Sequence, residues 1–371
     1  MNINRFLLVL AAGAALGPGV AACGSSDSSS GSGGSSNAAS GQNASGTVNG
    51  AGSTFAAPVY QQFGSELKGQ GTTVNYQAVG SGAGVAALAQ GTAQFAGSDP
   101  ALAPEDKATL KKGQPVQIPV FFGAITVSYN VPGLKSGLKL DGPTVADIFQ
   151  GKVTKWNDQE IAKLNPGAKL PAGNITVVHR SDESGTTAGF TTFLSAYSSS
   201  WKSSVGSDKT VKWPTGTGAK GNDGVAAAIK QTQGSIGYVE QAYALANNFT
   251  YASIKNKSGA YVPPTLDSTS AAGDGLTIPS DLGVSTINAP GSSAYPIASQ
   301  TFIDTYKDPC QALGMKKSDA QAMARFIDFV LGKGQSELSK LEYAKLPSGL
   351  LSKSQQAADS LTCNGSPLSG S

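Results

Sequence analysis

Val177-Val178-His179-Arg180-Ser181-Asp182-Glu183-Ser184-Gly185-Thr186-Thr187-Ala188-Gly189-Phe190 passes from an apolar run, through charge and small hydroxyls, into a segment with helical apolar spacing. It reads as strand, tight loop, helix. A helix opening at Ser184-Gly185-Thr186 presents backbone N–H groups that lack intrahelical acceptors, together with the positive end of its dipole. Arg180 and two hydroxyls stand beside it, in a chain whose only other arginines are Arg5 and Arg325. Two readings follow: an anion site, or an ordinary Ser-capped helix with a surface Arg180–Asp182 pair. The flanking sequence has to decide between them.

Upstream, the pattern of a strand or turn feeding a small-residue helix start recurs. Gly50-Ala51-Gly52-Ser53-Thr54-Phe55 leads into a helix with Pro58 in its first turn and Ser53 or Thr54 as its expected cap. Thr72 to Val79 reads as a strand that runs into Gly80-Ser81-Gly82-Ala83-Gly84 and a further helix. Phe95-Ala96-Gly97-Ser98-Asp99 reads as a short buried strand that delivers a carboxylate at its C-terminal end, the side of an α/β sheet where ligands bind. Val116 to Tyr129 is a long β-type run interrupted at Pro119, long enough to cross from one lobe to another. Amphipathic segments at 144–149 and 158–164 precede the opening stretch, and Gly221-Asn222-Asp223-Gly224 and Ser235 to Val239 follow it as helix start and strand. Irregular structure is expected over 251–294, then a returning strand near 296–303 and a helix capped by Ser318 with Gly332 past its end. Alternation of this kind implies α/β architecture with a mostly parallel sheet and helices on both faces.

The 371 residues suffice for two domains of ordinary size, and a formal charge of +3 without a basic stripe argues against nucleic acid as a partner. Residues 1–23 have the polar start, apolar segment and small residues of an export signal, and they are too short and too rich in Gly and Ala for a membrane span. Val20-Ala21-Ala22-Cys23 resembles the bacterial lipoprotein signal, which implies that Cys23 is lipidated (palmitate) and becomes the mature N-terminus on the outer face of the cell membrane. A simple secretory signal is the alternative. Residues 24–45 are nearly all Ser, Gly, Ala and Asn, a polar tether. Cys310 and Cys363 then remain as an even pair that could form a disulfide in an extracytoplasmic compartment.

Taken together, Gly50 to Phe55, Gly80-Ser81-Gly82-Ala83-Gly84-Val85, Gly97-Ser98-Asp99, Gly151 to Asp158, Arg180 to Thr186, Gly221 to Gly224 and Ile236 to Glu240 resemble the phosphate-binding substrate-binding proteins of bacterial phosphate ABC transporters. The likeness runs in order from about Val48 to Leu351. It implies a two-lobe periplasmic-binding-protein-like fold of type II, with lobe I from 46–127 and 293–371, lobe II from 128–292, and one phosphate in the cleft. Position by position it implies Thr54, Phe55 (through its N–H), Ser81 and Asp99 as ligands from lobe I. From lobe II come Arg180, Ser184, Gly185 (N–H) and Thr186, with Asp182 holding Arg180. Glu183 departs from the glycine often found at its position. The implied partners are inorganic phosphate and the membrane permease subunits of the transporter; no metal, cofactor or catalytic residue is implied.

These residue types suit phosphate, which keeps a proton near neutral pH and so needs an acceptor as well as donors. Asp99 would supply that acceptor, whereas sulfate would meet it as an unpaired buried charge. Asp99 as a plain turn cap is the other reading of that residue. The competing functions are a binder of another tetrahedral oxyanion such as sulfate, an adhesive surface lipoprotein, and a serine hydrolase built on Ser184, His179 and Asp182. Alternation along the strand puts His179 and Arg180 on opposite sides, which argues against the hydrolase.

Overall fold

The computed structural model describes residues 45–368. The expected export signal, Cys23 and the tether as far as residue 44 lie outside the described residues. Among the described residues nine strands make the main sheet: β1 (Gly46–Gly52), β2 (Thr72–Ala78), β3 (Phe95–Ser98), β4 (Pro115–Asn130), β5 (Thr176–Arg180), β6 (Thr217–Ala219), β7 (Ser235–Glu240), β8 (Thr250–Tyr251) and β9 (Ala298–Tyr306). Their order is β2-β1-β3-β9-β4-β7-β5-β6, with β8 also on β4.

Each half of the sheet is parallel within itself, β2-β1-β3 on one side and β7-β5-β6 on the other. The expectation of a mostly parallel sheet fails between them, because β9 is antiparallel to β3 and β4, and β4 is antiparallel to β7. The cause is connectivity: β4 carries the chain out of one half, and β9 brings it back in the opposite direction. β4 pairs with β9 over Pro115 to Ala124 and with β7 over Ile125 to Asn130, so one strand belongs to both halves. Pro119 does not interrupt it. The register against β9 shifts between Thr301 and Phe302, so that Thr301 faces Phe121 and Phe302 faces Pro119. That bulge lets a residue without an N–H sit inside a ladder.

The helices that matter for the site are α1 (Ala57–Lys68), α2 (Ser81–Gln90), α3 (Gly185–Tyr197), α4 (Gly221–Gln231), α5 (Gln241–Ala246) and α6 (Lys317–Leu331). Their apolar faces bury against the sheet, with the Tyr60 ring meeting Phe95, Phe121 and Phe326 edge-on at centroid distances of 6.0, 6.0 and 5.7 Å. In the other half Phe190 stacks on Tyr238 at 4.4 Å and meets Phe149 at 4.8 Å. Ser318 is not the cap of α6: the helix starts one residue earlier, after an extended Lys316, and Asp319 instead accepts the N–H of Thr47. The 251–294 region is mostly irregular, as its Ser, Gly and Pro content implies, with short strands and one short helix at Leu266–Ala271. A disulfide joins Cys310 to Cys363 and holds the C-terminal segment beside the turn at Asp308.

Candidate functional site

The site forms where β1, β3 and β5 end and α1, α2 and α3 begin. After β1 the chain turns at Ser53, whose hydroxyl accepts the N–H groups of Phe55 (3.0 Å) and Ala56 (3.2 Å). Ser53 therefore closes the turn ahead of α1 rather than capping the helix, whose own N-cap, Ala56, has no side-chain cap. This also alters the expectation for Phe55, since its N–H is directed at the Ser53 hydroxyl. The carbonyls on the same turn are gripped from two directions: the Tyr243 phenol donates to Thr54 O and the Tyr343 phenol to Phe55 O, each at 2.7 Å.

Ser81 opens α2 and Asp99 follows β3, and both line a cavity of about 190 Å3 together with Ser98, Asp106, Thr192 and Lys209. Ser81 and Asp99 are each only 1% exposed. Ser81 Oγ and Asp99 Oδ2 are nevertheless buried without a hydrogen-bond partner, whereas most buried polar atoms are satisfied. Asp99 Oδ1 accepts from the Thr301 hydroxyl at 3.3 Å. Burial pushes the Asp99 carboxyl up from its ordinary 3.8 to about 6, against opposing pulls from the Ser53 hydroxyl, the Arg180 charge and Thr301. It is thus mostly ionised at neutral pH, yet with little margin.

β5 delivers Arg180, 3% exposed, at the opposite edge of the site. Its guanidinium forks onto Asp182, Nε to Oδ1 at 2.7 Å and Nη2 to Oδ2, while Nη1 donates to Thr186 Oγ1 at 3.3 Å. Burial alone would raise the Asp182 pKa, but hydrogen bonds and charge from Arg180 and the N–H of Gly221 hold it below the ordinary value. Tyr238 anchors the strand end by accepting the Arg180 N–H at 3.1 Å.

At the start of α3, Ser184 Oγ accepts the N–H of Thr187 and its carbonyl accepts that of Ala188. The N–H groups of Gly185 and Thr186 are left to be satisfied from outside the helix. Gly185 is packed against Asp99, and a methyl group there would overlap both the carbonyl oxygen and Oδ2 of that residue. Only glycine lets this helix end approach the carboxylate so closely.

The structure therefore links Thr54 and Thr186 through Asn222, Thr186 to Arg180, and Gly185 to Asp99, and of the expected ligands it places Ser81 and Asp99 on the cavity wall, with Ser184 as the cap of α3 and Asp182 clamping Arg180. Glu183 does not burden the site with a free charge: its carboxylate is half-exposed and lies 3.3 Å from Lys209 Nζ, which also bonds Asp106. Its carbonyl accepts the N–H of Gly82, tying the first turn of α2 to the loop before α3. His179 stacks on Trp213 at 4.7 Å and its Nδ1 lies 3.0 Å from the Arg180 carbonyl. Among the described residues no hydrogen bond joins it to Ser184. Sequence reasoning missed Asn222, Tyr238, Tyr243 and Tyr343; Asn222 had a signal in the helix start Gly221 to Gly224 and Tyr238 in the run Ile236 to Glu240, whereas Tyr243 and Tyr343 had none.

Residues 37–333 match the model of the PBP superfamily domain. A Pasteurella multocida protein named phosphate-binding protein PstS is 41% identical over 83% of this chain and 89% of its own length. This chain belongs to the PstS family. A Mycobacterium leprae member, phosphate-binding protein PstS 3, is 37% identical over 97% of this chain and 100% of its own. The fold is shared with a high-affinity periplasmic phosphate-binding protein (PfluDING) solved with phosphate, at a TM-score of 0.66 and 22% identity over 84% of this chain and 93% of that one. A Clostridium perfringens phosphate ABC transporter substrate-binding protein, also solved with phosphate, matches at 0.59 and 17% over 81% and 100%. The architecture is thus the two-lobe type II binding-protein fold.

Proposed function

We propose that this protein binds inorganic phosphate outside the cytoplasmic membrane and passes it to an ABC transporter for import. The observation that carries the reading is the pairing of an ionised, unpartnered oxygen of Asp99 with the free N–H groups of Gly185 and Thr186 and the guanidinium of Arg180. An anion bearing no proton would place like charges against each other there, whereas a phosphate P–OH donates to Asp99 Oδ2 and its remaining oxygens accept. Each charge-assisted hydrogen bond contributes roughly 1.5–3 kcal/mol and a stranded carboxylate costs at least as much, so rejection of sulfate by about a thousandfold is within reach of this one group. The ligand set is Thr54, Ser81, Asp99, Arg180, Ser184, Gly185 and Thr186. The N–H of Phe55 joins it once an anion competes with the Ser53 hydroxyl.

The course of β4 and β9 supports lobe limits at 46–127 with 293–371, and 128–292, hinged where β4 changes partners. The protein is a carrier rather than an enzyme, a reading supported by the engagement of His179 with Trp213 and of Ser184 with its own helix. The run Val20 to Cys23 supports export and a lipid anchor at Cys23, with the polar segment that follows as tether. Thermal unfolding tests the ligand: millimolar phosphate should raise the melting temperature by mass action and equal sulfate should not. Equal shifts with both anions would refute the reading.

A further inference from the structure

We propose that Asn222 is a positioning residue that makes the hydroxyls of Thr54 and Thr186 obligate hydrogen-bond donors toward the anion; this rests on the phosphate reading above. Asn222 is wholly buried in the first turn of α4. The orientation of its amide is settled by a neighbour, because Oδ1 accepts the backbone N–H of Glu240 at 3.0 Å. The NH2 group must then face the other way, where Nδ2 donates to Thr54 Oγ1 at 2.9 Å and to Thr186 Oγ1 at 3.4 Å.

A threonine hydroxyl has two lone pairs and one proton. Thr54 Oγ1 receives both Nδ2–H and the backbone N–H of Asn222, the latter at 3.2 Å. Thr186 Oγ1 receives Asn222 Nδ2–H and Arg180 Nη1–H. Both oxygens have spent their accepting capacity, and among the described residues neither hydroxyl donates to a protein acceptor. Their protons are left for the ligand. One amide thus holds two hydroxyls, one from the turn after β1 and one from α3, in the same polarity. Neither threonine can then accept a P–OH, so of the carboxylate and hydroxyl groups in the ligand set that role passes to Asp99 Oδ2, the charged acceptor, and away from Thr54 and Thr186. Without Asn222 either hydroxyl could rotate to accept a P–OH, so the arrangement of donors would cease to be preset.

A merely structural Asn222 would also matter, since it ties α4 to Glu240, so the test is a cycle of variants read by calorimetric phosphate affinity and by melting temperature without anion. The four proteins are wild type, Asn222→Ala, the pair Thr54→Val with Thr186→Val, and the triple variant. With threonines present, Asn222→Ala should weaken phosphate binding by about tenfold or more; with valines present, by less than about twofold. An equal loss in both backgrounds overturns the proposal. Should Asn222→Ala not fold, Asn222→Asp keeps the shape and the acceptor for Glu240 N–H. Its charge repels phosphate alike in both backgrounds, so the proposal again requires a loss at least about tenfold greater with threonines than with valines. A wild-type protein that does not bind phosphate at all would instead refute the ligand assignment, and that outcome is read before the variants are compared.

Discussion

Replacing Asp99 with asparagine should stabilise the empty protein while damaging its selectivity. Burial holds the Asp99 carboxyl at about 6 in the folded chain, against 3.8 ordinarily. Below about pH 4 both folded and unfolded chains keep the proton, and the residue costs nothing. As pH rises from there to about 6 the unfolded chain ionises first, so stability falls; above that range the penalty is constant. The gap between 3.8 and about 6 corresponds to about 3 kcal/mol. An asparagine removes this charge penalty but leaves an unpaired polar atom where Oδ2 stood, so we expect a net gain of about 1–2 kcal/mol at pH 7, a melting-temperature rise of about 2–4 °C. The assay is denaturant or thermal unfolding of anion-free wild type and Asp99→Asn at pH 7 and pH 4, with calorimetric titration of phosphate and sulfate alongside. The gain should be present at pH 7 and absent at pH 4, and the preference for phosphate should collapse mainly because sulfate improves. A gain of equal size at both pH values, or none at pH 7, would refute the charge argument.

Other consequences follow from the same geometry. Asp182→Asn strands the buried Arg180 guanidinium and should cost roughly 3 kcal/mol at neutral pH. Because the folded pKa of Asp182 is depressed, its contribution is present above its unfolded value and lost as pH falls through the folded one, so urea unfolding at neutral and acidic pH should show the deficit shrinking toward acid. Tyr243→Phe removes the hydrogen bond to Thr54 O and should lower stability by about 1 kcal/mol and weaken phosphate binding by less than about tenfold, measured by unfolding and calorimetry. Replacing Cys310 and Cys363 together by alanine opens a loop spanning a separation of 53 residues. It should cost about 4 kcal/mol in unfolding free energy while leaving phosphate affinity unchanged.

Local pattern carried much of this structure. Ser184, Gly185 and Thr186 mark a helix start whatever surrounds them, and Asp99 at the end of a short apolar strand announces a carboxylate at the ligand side of a sheet. Long-range pairing was not legible in that way. The antiparallel meeting of β9 with β3 and β4 depends on which strands cross between halves, and Pro119 looked like a break because its compensating bulge involves Thr301 and Phe302, far off in sequence. The same distance hid Tyr243 and Tyr343, whose phenols reach carbonyls of the turn after β1. Ser53 was misplaced for a more local reason: a serine just ahead of a helix can close the preceding turn as readily as cap the helix itself.

The central claim is that the buried carboxylate of Asp99 selects an anion that still carries a proton. Its most direct measurement is calorimetric titration of the anion-free wild-type protein with phosphate and with sulfate at pH 7. The account predicts saturation at one phosphate per chain with sulfate weaker by about a thousandfold, and comparable affinity for the two anions would contradict it.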